Sequence, residues 1–219
     1  MKKILTFIAL SLFVLSANSQ QLYLEMGKTH TKFDYQNTDG SGLKGVVNKT
    51  DNFMALGYSH AIAKSRWSAF GGLNYNTYSA TSSDALLDNY FEWNFTHLGV
   101  NAGMGYEIFK PKDMACDWKG FTVKLKGGMG AEFMLEGSQI VNLRVTDLKE
   151  IAPYDAPVYY LRGGVQVNYY LSKKLVLFGQ YTYSQSLRLE EILYGPLVYH
   201  EELKFNSQSF GFGVSYSIF

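Results

Sequence analysis

Cysteine, proline and charged residues are all scarce in this sequence. Cys116 is the single cysteine among 219 residues, which excludes an internal disulfide. The charged fraction of 18% lies below the level usual for soluble domains. A formal net charge of +1 gives no reason to expect a nucleic-acid partner. The chain has only 4 prolines but contains 17 Tyr, 15 Phe and 21 Gly, a composition typical of a strand-rich chain.

A long hydrophobic run is also missing after the first residues. The chain opens with Lys2 and Lys3, continues with an apolar run over 4–17, and then reaches the small residue Ser19. This order predicts a secretory signal peptide over 1–19 and a mature chain over 20–219. Because no later run approaches the roughly 18 apolar residues of a membrane helix, the mature chain is either soluble outside the cytoplasm or a β-barrel.

Apolar and polar residues alternate along several segments, which is the pattern of a β-strand with two different faces. The clearest segment is 121–136, where Val123 and Leu125 alternate with Lys124 and Lys126. The other segments that we interpret as strands are 22–35, 53–63, 67–80, 98–108, 159–171, 175–190 and 204–219.

The connections between these segments alternate in length. Long polar connections cover 36–52, 81–89, 137–156 and 191–203, and shorter ones cover 64–66, 172–174 and, as the longest of them, 110–120. An even number of strands with both termini on the short-turn side is typical of outer-membrane barrels. A sheet that spans lipid must close on itself because lipid offers no partner for backbone groups. We therefore predict an all-β protein that folds as an eight-stranded antiparallel up-and-down transmembrane β-barrel.

The last strand carries the most specific likeness to a known family. Its apolar residues are Phe210, Phe212, Val214, Tyr216 and Ile218, followed by the terminal Phe219. With this strand, the chain resembles the small eight-stranded OmpA/OmpX-like outer-membrane barrels, particularly those of Bacteroidota. The resemblance implies residence in the bacterial outer membrane and a C-terminal signal for the barrel-assembly machinery at Tyr216, Ile218 and Phe219. Phe219 departs from the pattern because it falls on the opposite phase from Tyr216 and Ile218.

If the apolar faces meet lipid, the polar faces converge on a narrow interior that side chains nearly fill. The ionisable residues expected there are Glu25, Glu107, Lys124, Lys126, Glu132, Glu136 and Arg162. Charges shielded from water must pair, so we predict a network of ion pairs across the lumen, with Glu132 and Arg162 as one candidate pair. Inward glycines would make space for these long side chains. The network either plugs the barrel or lines a narrow ion pathway.

Aromatic residues near the strand ends suit the interfacial girdles of a barrel. The residues expected in these girdles are Trp67, Trp93, Tyr106, Tyr159, Tyr169 and Tyr216.

No motif in the sequence marks a catalytic or cofactor site. The spacings of zinc, calcium and nucleotide sites are absent, so we predict no cofactor, no metal and no catalytic residue. Some small outer-membrane barrels are lipid acyl hydrolases or transferases, which use His with Ser and a carboxylate. His60 and His97 are the least implausible bases for such an activity.

Three functions remain open at the level of sequence. The first is a non-enzymatic outer-membrane barrel with a structural or binding role, which contacts membrane lipid and acts through loops 137–156 and 191–203 as an accessory of a larger envelope complex. The second is a lipid-modifying enzyme. The third is a soluble periplasmic lipocalin-like barrel whose apolar face surrounds a ligand, although its interior would be crowded by large rings.

Overall fold

The computed structural model of the chain describes residues 20–36, 45–62, 65–84, 89–109, 120–149, 156–187, 192–194, 197–199 and 202–218. The predicted signal peptide 1–19, together with Cys116 and Phe219, lies outside the described residues. Within these ranges no helix is long and apolar enough to cross a bilayer.

The described elements are β-strands, and most of them are long. In chain order they are β1 (Gln20–Gln36), β2 (Val47–Asn48), β3 (Thr50–Ala61), β4 (Trp67–Asp84), β5 (Asn89–Phe109), β6 (Gly120–Val141), β7 (Arg144–Asp147), β8 (Val158–Tyr170), β9 (Leu175–Ser186), β10 (Ile192–Tyr194), β11 (Leu197–Tyr199) and β12 (Glu202–Ser217). Strands β1, β3, β4, β5, β6, β8, β9 and β12 form the barrel wall.

The wall is a closed antiparallel ring. Each barrel strand pairs with its neighbours in sequence order, and the ring closes where β1 pairs with β12 from Gln21↔Ser217 to Gln36↔Glu202. Closure gives the backbone groups of the first and last strands a partner and removes exposed sheet edges. The predicted eight-stranded antiparallel up-and-down barrel is therefore confirmed. We call the end that contains Gln20 and Ser217 the near end, and the opposite end the far end.

Strands at the far end extend into segments that the sequence pattern had indicated as loops. β6 continues to Val141 and turns through Asn142 and Leu143, whose φ angles of 47° and 69° are left-handed, into β7. Much of the predicted loop 137–156 is thus a β-hairpin, and β10 and β11 form another hairpin within 191–203. The reason is that hydrogen bonding between strands continues after the alternation of apolar and polar residues has faded.

The outer surface of the wall is apolar over a continuous belt. On β6, for example, the outward Phe121 and Met129 expose 66% and 65% of their surface, while the inward Thr122 and Glu132 are fully buried. The other strands contribute outward Leu22, Leu24, Met26, Met54, Leu56, Leu73, Tyr75, Leu98, Val100, Met104, Leu161, Val165, Val167, Leu177, Tyr181, Phe210, Phe212 and Tyr216. We call these outward side chains the apolar belt.

The height of the belt approaches that of the apolar band of an outer-membrane barrel. On β12 it runs from Phe210 to Ile218, which at about 3.4 Å per residue is roughly 27 Å along the strand. A strand tilt of roughly 40° reduces this to about 20 Å along the barrel axis, close to the apolar band of outer-membrane barrels.

Two β-bulges change which face the residues of β5 and β6 present. The pairing of β5 with β6 shifts between Thr96 and His97, and again between Glu107 and Phe109. Beyond the first shift, Gly137 faces inward and Glu136 is exposed on the outer face. The placement of Glu136 in the lumen was therefore wrong, because one extra residue reverses the period-two phase.

Inward glycines serve two different purposes. At Gly99, a Cβ atom would lie 2.6 Å from Cγ of Glu132, so this glycine does leave space for a charged side chain. At Gly103, which pairs with Gly128, a Cβ atom would instead lie 2.7 Å from the Cα of Gly128. This second kind of glycine permits the close approach of neighbouring backbones that a narrow barrel requires.

Candidate functional site: the polar network of the lumen

Glu132 is the centre of the polar network in the lumen. It lies on the inner face of β6 and is completely buried. Its Oε1 atom accepts hydrogen bonds from Asn74 Nδ2 at 2.7 Å and Asn76 Nδ2 at 2.6 Å, and its Oε2 atom accepts one from the Tyr78 hydroxyl at 2.9 Å. Arg162 Nη2 completes the set with an ion pair to Oε1. Donors from β4 and β8 thus replace the water that a carboxylate requires.

Arg162 reaches Glu132 along the inner wall and not directly across it. Arg162 is opposite Gly128 in the register of β6 and β8, whereas Glu132 is opposite Val158. The inward positions between the two charges on β6 are occupied by Gly128 and Gly130, which have no side chain to obstruct the guanidinium. The structure therefore joins the two residues that the sequence suggested as a pair.

A second pair of opposite charges lies closer to the near end. Lys124 and Glu107 are direct register partners on β6 and β5, and the Lys124 ammonium is 3.9 Å from Glu107 Oε1. Both side chains are nearly buried. This distance is at the limit of an ion pair, and the opposite charges of Lys124 and Glu107 compensate each other in the lumen.

Lys126 and Glu25 occupy the middle of the lumen. The Lys126 ammonium donates to Gln180 Oε1 at 2.7 Å and lies 4.5 Å from the centre of the Phe70 ring. Glu25 is buried on β1, close to the inward Gly211 of β12. The inward members of the predicted set are then three carboxylates (Glu25, Glu107, Glu132) and three cations (Lys124, Lys126, Arg162), so their formal charges cancel.

A layer of buried side chains fills part of the lumen at the far end. We call it the aromatic layer, and it consists of Phe33, Tyr78, Ala80, Phe95, Leu148, Val158, Tyr160 and Phe205. Phe205 is central: its ring centre lies 5.0 Å from that of Phe33 and 5.9 Å from those of Tyr78 and Phe95. These edge-to-face and stacked contacts are the geometries that aromatic pairs prefer.

The aromatic layer was not predicted from the sequence. Its members lie on the inward phase of their strands, beyond the last charged residue, where the pattern had indicated polar side chains. Trp93 packs against this layer and stacks on Phe91, so its assignment to an outer girdle was wrong. A signal was present, since Phe33 and Phe205 share the phase of buried Thr31 and Ser207 and not that of the belt.

Two small cavities inside the barrel are lined by both polar and apolar groups of the described residues. The larger cavity has a volume of about 80 Å³ and is lined by Glu25, Thr29, Asn101, Lys126, Arg162 and Gln180, among others. A cavity of about 20 Å³ lies nearer the near end and is lined by Ser59, Ser68, Lys124 and Gln166, among others. Such volumes hold on the order of a few water molecules. Tyr23, Phe70 and Lys126 border both cavities and lie where they would have to join.

The histidines do not form a nucleophile–base pair among the described residues. His97 is buried, with Nδ1 3.4 Å from Glu132 Oε2 and its ring 5.4 Å from that of Tyr78. His60 stacks on Tyr58 at the outer surface. Neither histidine is hydrogen-bonded to a serine in the part of the chain that the structure describes. Nor do the described residues include a group of His, Cys, Asp or Glu arranged to hold a metal ion.

Comparisons with known proteins give structural likenesses at low sequence identity. No family model matches the sequence, and no curated protein matches it either. Among solved structures, the chain is similar to Neisserial surface protein A, with 12% identity, a TM-score of 0.47, and coverage of 90% of this chain and 97% of that one. It is also similar to the outer membrane protein OprG from Pseudomonas aeruginosa, with 12% identity, a TM-score of 0.48, and coverage of 92% and 98%. The attachment invasion locus protein Ail of Yersinia pestis matches with 12% identity, a TM-score of 0.42, and coverage of 90% and 99%.

Proposed function

We propose that this protein is an integral β-barrel of the bacterial outer membrane, with a closed lumen and a structural or binding role at its far end. The observation that carries the proposal is the pairing of an apolar exterior with an interior in which the predicted lumen charges balance. An exposed apolar surface that encircles a barrel has no stable place in water, and lipid is the environment that accepts it.

The orientation of the side chains also favours a membrane barrel over a lipocalin-like barrel. A soluble ligand-binding barrel would place its apolar residues around an internal cavity. Here Phe121, Phe133 and Phe212 expose half or more of their surface to the outside. The interior holds the charged residues Glu25, Lys126 and Glu132 where a lipocalin-like barrel would have apolar side chains. This arrangement supports a membrane barrel.

The far end supports a binding role because its strands project beyond the belt as an ordered sheet. The β6–β7 hairpin presents Leu143 and Val145, which expose 93% and 66% of their surface. Lys49 and Glu92 form an ion pair of 3.0 Å beside this region. A hydrogen bond from the Tyr90 hydroxyl, together with the Lys49 ammonium, lowers the pKa of Glu92 below its ordinary value. A partner protein of the envelope would contact this surface through 137–156 and 191–203.

At the near end, Tyr216 and Ile218 both face outward at the end of the closing strand. We include recognition of this strand by the barrel-assembly machinery in the proposal. Deleting the last residue, Phe219, and separately replacing Tyr216 by Ser should reduce the amount of heat-modifiable barrel recovered from outer membranes.

Two measurements test the membrane barrel and its closed lumen. The refolded mature protein should migrate differently on SDS gels before and after boiling, because a closed barrel resists SDS until heated. In planar bilayers it should show no sustained conductance. The triple variant Phe33→Ala/Phe70→Ala/Phe205→Ala opens the aromatic layer and also widens the junction between the two cavities, so it should conduct. Phe212→Ala, a change of the same type on the belt, should not. Steady conductance by the unaltered protein would overturn the closed lumen, and release by osmotic shock without detergent would overturn the membrane assignment.

The enzymatic alternative has its own test. His97→Gln and His60→Gln should leave the acyl-chain profile of outer-membrane lipids unchanged relative to the unaltered protein. A change in that profile with either variant, at equal barrel levels, would favour a lipid-modifying enzyme over the proposed role.

A further inference from the structure

A row of basic residues interrupts the outer surface of β1 where the apolar belt ends. Outward Met26 is the last belt residue on this strand, and the next outward positions are Lys28, His30 and Lys32. These three side chains point outward, because Thr29 and Thr31 between them are buried. We call Lys28, His30 and Lys32 the cationic stripe.

Among the described residues, the direct register partners of the stripe on β3 and β12 include polar groups and no carboxylate. Across β3, Lys28 faces Asn52 and His30 faces Thr50; the Lys28 ammonium donates to Asn52 Oδ1 at 2.7 Å. On the β12 side, the register partners of the stripe are Phe210, Gln208 and Asn206. The next outward position on β1 is Asp34, but its partner across β12 is Lys204, so this carboxylate is opposite a further cation.

The stripe is a local feature of the barrel's circumference. On other strands, the outward residues that follow the belt toward the far end are neutral or acidic: Thr77 on β4, Thr96 on β5, Glu136 on β6 and Gln185 on β9. Positive charge at this level is therefore concentrated on the face built from β1, β3 and β12. Just below it, Phe210 and Phe212 form an exposed aromatic pair with ring centres 4.9 Å apart.

We propose that the cationic stripe binds the phosphate groups of an anionic glycolipid in the outer leaflet, with the lipid's acyl chains against Phe210 and Phe212. This proposal rests on the proposed function, because it requires the belt to lie in a membrane. Lysine side chains at the border of an apolar surface extend their ammonium groups toward the polar headgroups. There they donate to phosphate oxygens, and the Asn52 and Gln208 amides supply additional uncharged donors.

Lipid phosphate suits this position better than a free anion does. A soluble anion would gain only the charge of the stripe, whereas a lipid also buries its chains on the aromatic pair next to Lys28. Each lysine close to an anionic membrane surface contributes roughly fivefold to affinity, so the two lysines together account for roughly 25-fold.

The experiment uses the mature protein in nanodiscs of neutral lipid, with purified phosphorylated lipid A as the probe. Native mass spectrometry measures bound lipid for the unaltered protein, for Lys28→Gln/Lys32→Gln, and for the control Lys173→Gln/Lys174→Gln. The control removes the same charge from the exposed near-end turn. We expect the unaltered protein and the control to bind equally and the stripe variant to bind at least tenfold more weakly. Dephosphorylated lipid A should bind all three proteins equally weakly.

Several outcomes would overturn the proposal. The first is that the stripe variant binds phosphorylated lipid A as tightly as the unaltered protein does. The second is that the unaltered protein binds dephosphorylated lipid A as tightly as the phosphorylated form. The third is that inorganic phosphate competes at low concentration, which would indicate a site for free anions. Heat-modifiable gel mobility is recorded for every sample. A protein that inserts and shifts normally but ignores lipid phosphate refutes only the stripe, whereas a protein that fails to insert refutes the membrane barrel itself.

Discussion

Replacing Glu132 by Gln should destabilise the barrel more than any other conservative change of a carboxylate. The variant keeps the shape of the side chain but removes the charge that compensates Arg162, and it turns one acceptor into a donor that faces Asn74, Asn76 or Tyr78. Removing one partner of a buried ion pair costs about 3 to 5 kcal/mol. Because the Arg162 side chain is 19% exposed and borders the larger cavity, we expect the lower end of that range.

A double-mutant cycle separates the ion pair from the loss of packing. Arg162→Met removes the cation while Glu132 keeps its neutral donors, and the double variant Glu132→Gln/Arg162→Met leaves no uncompensated charge. We expect the double variant to be more stable than the sum of the single effects implies, by about 1 to 3 kcal/mol. Glu136→Gln is the matched control, because Glu136 is exposed on the outer face and its loss should cost less than about 0.5 kcal/mol.

Urea unfolding of the refolded protein in vesicles, followed by tryptophan fluorescence, gives the free energies of unfolding. Gel mobility without boiling confirms that each variant forms a barrel before the measurement. Equal effects of Glu132→Gln and Glu136→Gln, or strictly additive single effects in the cycle, would refute the account of Glu132 as the centre of the network.

Three further changes examine the glycines and the belt. Gly99→Ala would place a Cβ atom 2.6 Å from Cγ of Glu132 and should cost about 1 to 3 kcal/mol. In the control Gly127→Ala, the new Cβ atom would meet nothing within 4 Å, so the urea midpoint should change little. If the Gly99→Ala and Gly127→Ala variants had the same urea midpoint, the role of Gly99 would be contradicted. Leu125→Arg on the belt should cost about 2 to 4 kcal/mol in vesicles, and a stable variant would argue against lipid contact at this position. A carbene label confined to the lipid phase should modify Leu125 and spare Lys124, and the reverse pattern would mean that the barrel is inverted.

The strands could be predicted from the sequence wherever one face had to be apolar. Over 121–136 the alternation is nearly unbroken, and β6 covers all of this segment. The sequence pattern did not predict the far ends of the strands, where neither face has to be apolar. β5, for example, begins at Asn89 and not at Leu98, because outward residues above the belt, such as Thr96, meet water and carry no apolar signal.

The candidate site could be predicted only in part. The alternation of apolar and polar residues along a strand predicts the inward orientation of Lys124, Lys126 and Arg162. The exposed position of Glu136 does not follow, because a bulge in the pairing of two strands leaves no mark in a single strand's pattern.

By itself, the sequence determined which face of its strand a residue occupies wherever the alternation is unbroken by a bulge, and it indicated that the strands close around a polar interior. This is possible because the side-chain period of a strand is a local property of the backbone. The tertiary structure alone decided which inward residues meet. Glu132 receives hydrogen bonds from two other strands, β4 and β8, and Phe33, Phe95 and Phe205 converge from separate strands into one layer. Such meetings depend on register, bulges and closure, which arise only when distant segments pair.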